Sequence, residues 1–325
     1  MTKKLSTIAT LLLCATYLLW PITAIAEKTM YMSFQKLAFY FAEAENKYYL
    51  VVYSTDEATK PGKFDTDNVH IMLESKDGQK NTISQKDLII INLGEMFYEQ
   101  AKQYTYFKFN LVIDNSGSID DQALGTVQTV LTQFINNLPV SFEGQVIKFS
   151  TDLNKSGFTK DKQQLINFIN QPDNRASTAL FDAVLASLDD LKFAEDSIPL
   201  KFSIILSDGK ENASKRYNYT TVTDFKNLVV STAKEKSIPL FIVGVTDDVD
   251  AVLLKELAGF GLYQSIKDFP DLDKAFKMLE GIIKNTYIFK IPAVGKLENL
   301  KKLYIVKESQ VTPGKYETIQ DILME

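Results

Sequence analysis

The sequence predicts an α/β fold, a doubly wound, mostly parallel sheet with helices on both faces, accompanied by a smaller β-rich module. Three observations carry this. From Phe107 onward short apolar runs alternate with stretches of helical period. The runs are continuously apolar rather than alternating, as expected of strands buried on both faces. The flanks on either side are instead aromatic, strand-like and rich in turns.

Between Glu27 and Tyr106 lie strand-like runs such as KYYLVVYS and NVHIMLES, separated by ATKPGKFDTDN and SKDGQKN. FNLVI (Phe109 to Ile113) opens the α/β region. A helix follows, with Leu124, Val127, Leu131, Phe134 and Leu138 on one face and Pro139 as its stop. Next come QVIKF (Gln145 to Phe149), a polar stretch suited to an edge strand, and a small helix through Leu165, Phe168 and Ile169. A further helix starts near Thr178 and carries Leu180, Val184, Leu188 and Leu191.

The scheme then repeats. FSIIL (Phe202 to Leu206) precedes a helix through Phe225 and Val229, and LFIVGV (Leu240 to Val245) precedes one through Leu253 and Leu257. A last helix holds Leu272, Phe276, Leu279 and Ile283. After Asn285 the runs TYIFKI and KLYIVKE surround a Lys-rich connection. The expected division is a leader over 1–26, a β-rich module over 27–106, the α/β domain over 107–286, and a β segment over 287–325 that completes the N-terminal module. Two unrelated flanks are the alternative.

The first residues place Lys3 and Lys4 ahead of an apolar stretch from Ile8 to Trp20, and Ala24-Ile25-Ala26 supplies small residues where a signal peptidase reads. Cleavage is expected between Ala26 and Glu27, giving an exported protein, periplasmic or extracellular. An uncleaved anchor is the rival, because Ser6 to Ala26 is long enough to span a bilayer. A lipid on Cys14 is a third option, disfavoured by Leu13 where a small residue is usual. Loss of Lys3 and Lys4 would take the net charge from −5 to −7, which offers nucleic acid no attraction. The chain has one Cys, one His and one Trp (Cys14, His70, Trp20). That excludes a Cys/His zinc site, a disulfide framework and a thiol redox motif.

The residues that carry chemistry stand at strand ends. Asp114-Asn115-Ser116-Gly117-Ser118 follows the first α/β strand, Ser207-Asp208-Gly209 follows FSIIL, and Thr178 opens the helix before it. In a doubly wound sheet such loops emerge together outside the carboxyl ends of the strands, where ligands bind. Asp114 and Asp208 would meet there with the hydroxyls of Ser116, Ser118 and Thr178. Two unneutralised carboxylates oppose folding, so the arrangement calls for a cation. Every donor is oxygen, which suits Mg²⁺ first and Mn²⁺ or Ca²⁺ next.

These three motifs, in this order along alternating strands and helices, resemble a von Willebrand factor A domain of the exported bacterial type over about Phe107 to Tyr287. The resemblance implies a metal-ion-dependent adhesion site. Asp114, Ser116, Ser118, Thr178 and Asp208 would hold a divalent ion directly or through water, and a carboxylate from a protein partner would complete its shell. Where many members carry Gly-Gly before the Thr, this chain has Arg175-Ala176-Ser177, which implies a less open loop and a positive charge facing an acidic partner. Asp120 and Asp121 lie one residue early for the adjacent-ion site of integrin beta chains.

Simpler roles fit the remaining candidates. D-x-S-x-S alone is also a helix N-cap, and only its pairing with Thr178 and Asp208 favours metal. Asp182 and Glu211 are expected on helix surface or in support of the ligands. His70 reads as a half-buried strand residue and the acidic pair Asp65 and Asp67 as turn chemistry. Ser207 and Lys210 match S-x-x-K, but the companion acylase motifs do not appear.

The leading expectation is therefore an exported, non-enzymatic module that captures a protein ligand. An envelope-complex assembly scaffold is the alternative, and a metal-dependent phosphoester hydrolase a more distant one, since Ser116 stands where a phosphatase of the haloacid dehalogenase type needs a second Asp.

Overall fold

The computed structural model describes residues 33–56, 60–192, 197–294, 297–309 and 312–323. The expected leader, with Cys14 and Trp20, lies outside the described residues. Among the described residues no helix is long and apolar enough to cross a membrane.

Five strands come first: β1 (Ser33–Ala42), β2 (Lys47–Thr55), β3 (Val69–Ser75), β4 (Lys80–Ile83) and β5 (Ile89–Asn92). The α/β region starts with β6 (Phe107–Asp114) and α1 (Asp121–Asn137), then β7 (Phe142–Phe149), β8 (Leu153–Lys155), α2 (Lys162–Asn170) and α3 (Leu180–Lys192). It continues through β9 (Leu200–Ser207), α4 (Val222–Glu235), β10 (Leu240–Val245), α5 (Ala251–Ala258), β11 (Leu262–Ile266) and α6 (Leu272–Lys284). The chain then returns to strands: β12 (Thr286–Pro292), β13 (Leu300–Glu308) and β14 (Tyr316–Leu323).

The central sheet has six strands in the order β11-β10-β9-β6-β7-β8, all parallel except the short edge strand β8. From β6 the chain winds outward to β7, whereas from β9 it winds the opposite way to β10. The switch in direction thus falls between β6 and β9, the position at which such sheets open a crevice. Alternate side chains serve opposite layers. Phe109, Leu111 and Ile113 of β6 join α1, α2 and α6 in one core, and Val112 joins α3, α4 and α5 in the other.

Local chemistry fixes the helix starts. Asp120 caps α1 by accepting from the Ala123 amide at 2.8 Å, and Asp161 caps α2 by accepting from Gln163 at 2.8 Å. Such caps each contribute about 1 kcal/mol. Within the first core Phe109 stacks on Phe202 with ring centroids 5.6 Å apart. The ring lies so close to Gly144 that a Cβ there would sit 2.6 Å from Phe109 Cζ.

The flanking strands pair with each other across the α/β insertion. One four-stranded sheet runs β1-β2-β12-β5 and another β14-β13-β3-β4. Between them lies an apolar core with Tyr48, Leu50, Val52, Val69, Ile71, Phe289 and Leu303. The outer face of the first sheet, through Leu37, Tyr49, Val51 and Ile288, packs into the same cluster as α1, α2 and α6. His70, expected half-buried, is 7% exposed in β3, with Nε2 3.4 Å from Glu308. Asp65 accepts from the Asp67 amide at 3.0 Å, a turn as expected.

Candidate metal centre

The end of β6 delivers Asp114 into the crevice with no exposed surface, and the end of β9 delivers Asp208 at 6%. Burial on this scale disfavours a charged carboxylate. The Asp114 carboxyl is accordingly pushed up to about 6, first by burial and second by the negative charge of Asp208. Hydrogen bonds from Ser207 and Ser116 offset part of the rise. Asp208 is also raised, chiefly by burial and further by Asp248, against a hydrogen bond from Ser118 and the charge of Arg175.

A chain of hydroxyls links the two carboxylates. The Ser116 amide donates to Asp114 Oδ1 at 3.0 Å, Ser116 Oγ and Ser118 Oγ lie 2.8 Å apart, and Ser118 Oγ donates to Asp208 Oδ1 at 3.1 Å. Ser207 Oγ donates to the other oxygen of Asp114 at 2.7 Å. Thr178 stands across the turn at Gly209, with its Oγ1 3.7 Å from the place a Cβ on that glycine would take. Hydrogen bonds thus bring Asp114, Ser116, Ser118 and Asp208 together, with Thr178 beside the Gly209 turn. Among the described residues no three His, Cys, Asp or Glu side chains gather as a metal cluster, so a cation here would depend on the hydroxyls and on water. Two buried carboxylates beside serine and threonine hydroxyls fit a hard divalent ion.

The loops are held by partners far away in sequence. Gly117 donates its amide to Ala176 O at 2.8 Å, and the Asn115 amide to Phe149 O at 2.8 Å. Thr178 N donates to Asn212 Oδ1 at 2.8 Å, and Thr178 O accepts from the Asn212 and Ala213 amides. Glu211, 5% exposed, accepts from the amides of Phe181, Ala213 and Ser214 and from the Ser214 hydroxyl, all at 2.6–2.8 Å. Its carboxylate binds the loop after β9 to the start of α3. Asp182 adds an acceptor for the Lys215 amide at 2.8 Å. The expectation of supporting roles for Glu211 and Asp182 thus describes what they do. The Ser207 and Asn212 contacts were not readable in the sequence, which offers no local signal for them. Asp120 is committed to its cap, and Asp121 pairs with Arg175 at 2.9 Å.

A doubly wound sheet with paired carboxylates and hydroxyls at its switch point defines a class of α/β domain that presents a site at one edge of the sheet. Residues 110–279 match the von Willebrand factor type A domain, and the chain belongs to that family. Its members are metal-dependent adhesion and protein-interaction modules, generally without catalysis.

The fold is similar to that of proximal thread matrix protein 1 from the mussel byssus, whose structure carries a zinc-occupied MIDAS motif. The TM-score is 0.50 at 15% identity, over 64% of this chain and 50% of that one. This chain thus spans about half the length of the mussel protein. It is also similar to a von Willebrand factor type A protein from Catenulispora acidiphila (TM-score 0.48, 10% identity, 92% and 74% covered). A third likeness is the vWF domain of the type V pili tip protein Mfa5 from Porphyromonas gingivalis (TM-score 0.44, 13% identity, 55% and 94% covered). No curated protein matches the chain at the level of sequence.

Proposed function

We propose that this protein is an exported, non-catalytic binding module that captures an acidic side chain of a protein partner at a divalent cation, Mg²⁺ by preference and Mn²⁺ or Ca²⁺ otherwise. The observation that carries the reading is the buried pair Asp114 and Asp208, linked through Ser116 and Ser118, with no cationic side chain among the described residues bonded to either carboxylate. Asp114, Ser116, Ser118, Thr178 and Asp208 would hold the ion. When bound, it supplies Lewis-acid attraction for an incoming oxygen. The chain's own residues do the remainder: Ser207 orients Asp114, Asn212 fixes the Thr178 backbone, and Glu211 keeps the loop after β9 against α3.

A binding role suits these groups better than turnover. His70 sits in β3 of the flanking sheets, and Ser207 is committed to Asp114. In the same reading residues 1–26 are a removed leader, 107–286 the binding domain, and 27–106 with 287–325 one β module.

Thermal unfolding tests the metal. A ligand at a hundred times its Kd stabilises by about 2.7 kcal/mol. For a chain of this size that raises Tm by about 5 °C. Mg²⁺ should produce the shift and Asp114→Ala should abolish it. A Tm that none of the three cations moves, or a shift that survives in Asp114→Ala, overturns the site. Export has its own check: the mature protein should show Tyr but no Trp emission, because Trp20 would be gone.

A further inference from the structure

We propose that Arg175 is a specificity-determining residue of this site, a second arm that grips the partner's carboxylate while opposing the cation itself. The inference rests on the metal reading above and names the residue by which a carboxylate is preferred to a hydroxyl, amide or carbonyl oxygen.

The geometry begins with the backbone. The bond from Gly117 N to Ala176 O presses the loop around Arg175 against the Asp114–Ser118 loop. Ser150 holds the other side, its hydroxyl donating to Asn174 O at 3.0 Å and its carbonyl accepting from Ala179 N at 2.7 Å. From this fixed base the guanidinium reaches over the first loop, with Nε 3.5 Å from Ser116 O and Nη1 2.9 Å from Asp121 Oδ1.

A guanidinium has five N–H donors in a rigid fork. Only two atoms of this fork are engaged by those contacts, and one partner is weakly binding. Asp121 is 100% exposed, and an ion pair in water of that kind contributes little, so a better acceptor displaces it at small cost. A partner carboxylate entering the crevice would meet the fork on one side and the cation on the other. Lys215, further along the loop that follows Asp208, pairs with Asp152 at 2.8 Å.

The electrostatics give Arg175 two effects of opposite sign. A fixed positive charge beside the crevice repels a divalent ion. The same charge attracts an anion between itself and that ion, and adds bidentate hydrogen bonds a neutral oxygen cannot exploit. A residue that merely supported the loop would move both affinities in the same direction.

The test measures Mn²⁺ binding calorimetrically on the full mature chain. It then titrates acetate, at constant ionic strength, into the Mn²⁺-loaded protein and follows water-proton relaxation. Arg175→Ala should bind Mn²⁺ as tightly as wild type or up to about threefold tighter, as removal of a nearby like charge allows. It should bind acetate about tenfold more weakly, the loss of one charge-assisted contact. Arg175→Lys, which keeps the charge without the fork, should recover part of the acetate affinity. Acetate binding unchanged in Arg175→Ala, or both affinities falling together, overturns the role of Arg175 while leaving the metal site standing. A wild-type protein that takes up no Mn²⁺ overturns the metal reading, and this one with it.

Discussion

At the scale of single residues, the buried carboxyl of Asp114 sets a pH dependence whose sign can be worked out. Its ordinary value is 3.8 and burial beside Asp208 pushes it up to about 6. Below about pH 3 the group is mostly protonated folded and unfolded alike, so it costs little. As pH rises towards 6 the unfolded chain ionises first, and the metal-free protein loses stability, on the order of 3 kcal/mol in full. Metal-free Asp114→Asn should therefore be more stable than wild type at pH 7, with the difference largely gone by about pH 3 in urea titrations; the same difference at both pH values would refute the argument. Glu211→Ala should cost about 2–4 kcal/mol by orphaning buried amides that the carboxylate serves. Asp114, Ser116, Ser118, Thr178 and Asp208 could be singled out because all stand at strand or helix ends, where short motifs mark them. Ser207 to Asp114 spans 93 positions and Thr178 to Asn212 spans 34. No local pattern encodes contacts at such separations.

Among the secondary elements, the buried strands were the easiest to read. Every residue of β9 and of β10 is buried, and the runs IIL in β9 and LFIVGV in β10 are apolar without alternation. Among the strands that escaped notice, β11 is a half-buried edge (LYQSI) and much of β14 is exposed (YETIQDIL). Asn110 escaped too, hidden within FNLVI, although its side chain donates to Ser187 O at 2.8 Å and accepts from Gln145. Two glycines separate space from propensity. At Gly261 a Cβ would fall 2.1 Å from Leu240 O, a backbone atom with no rotamer to change, so Gly261→Ala should cost about 3 kcal/mol or more. Gly125, inside α1, has nothing within 4 Å, and Gly125→Ala should stabilise by about 1 kcal/mol. Thermal melts of the two variants check both signs.

Across the whole molecule, the first core unites parts of the chain that a sequence divides. Leu37, Tyr49, Val51 and Ile288 of the flanking strands share it with Phe134, Phe276 and Leu279 of the helices. A fragment limited to 107–286 would expose that apolar face, so it should melt well below the full chain or aggregate, whereas the full chain should unfold in one transition by circular dichroism and Tyr fluorescence. That the flanks are rich in strands was legible from composition. Which strand lies beside which was not, since β12 enters between β2 and β5 and Tyr287 meets Phe64 from 223 residues away. That interleaving has a consequence for biogenesis. A chain made from its first residue onward exposes β1, β2 and β5 long before the ribosome reaches Thr286. These strands must wait, with their ladder open and their aromatic side chains in water, until the α/β region is already synthesised. The flanking sheets therefore close last, and during synthesis the open edges of β2 and β5 are where a holding chaperone has most to protect.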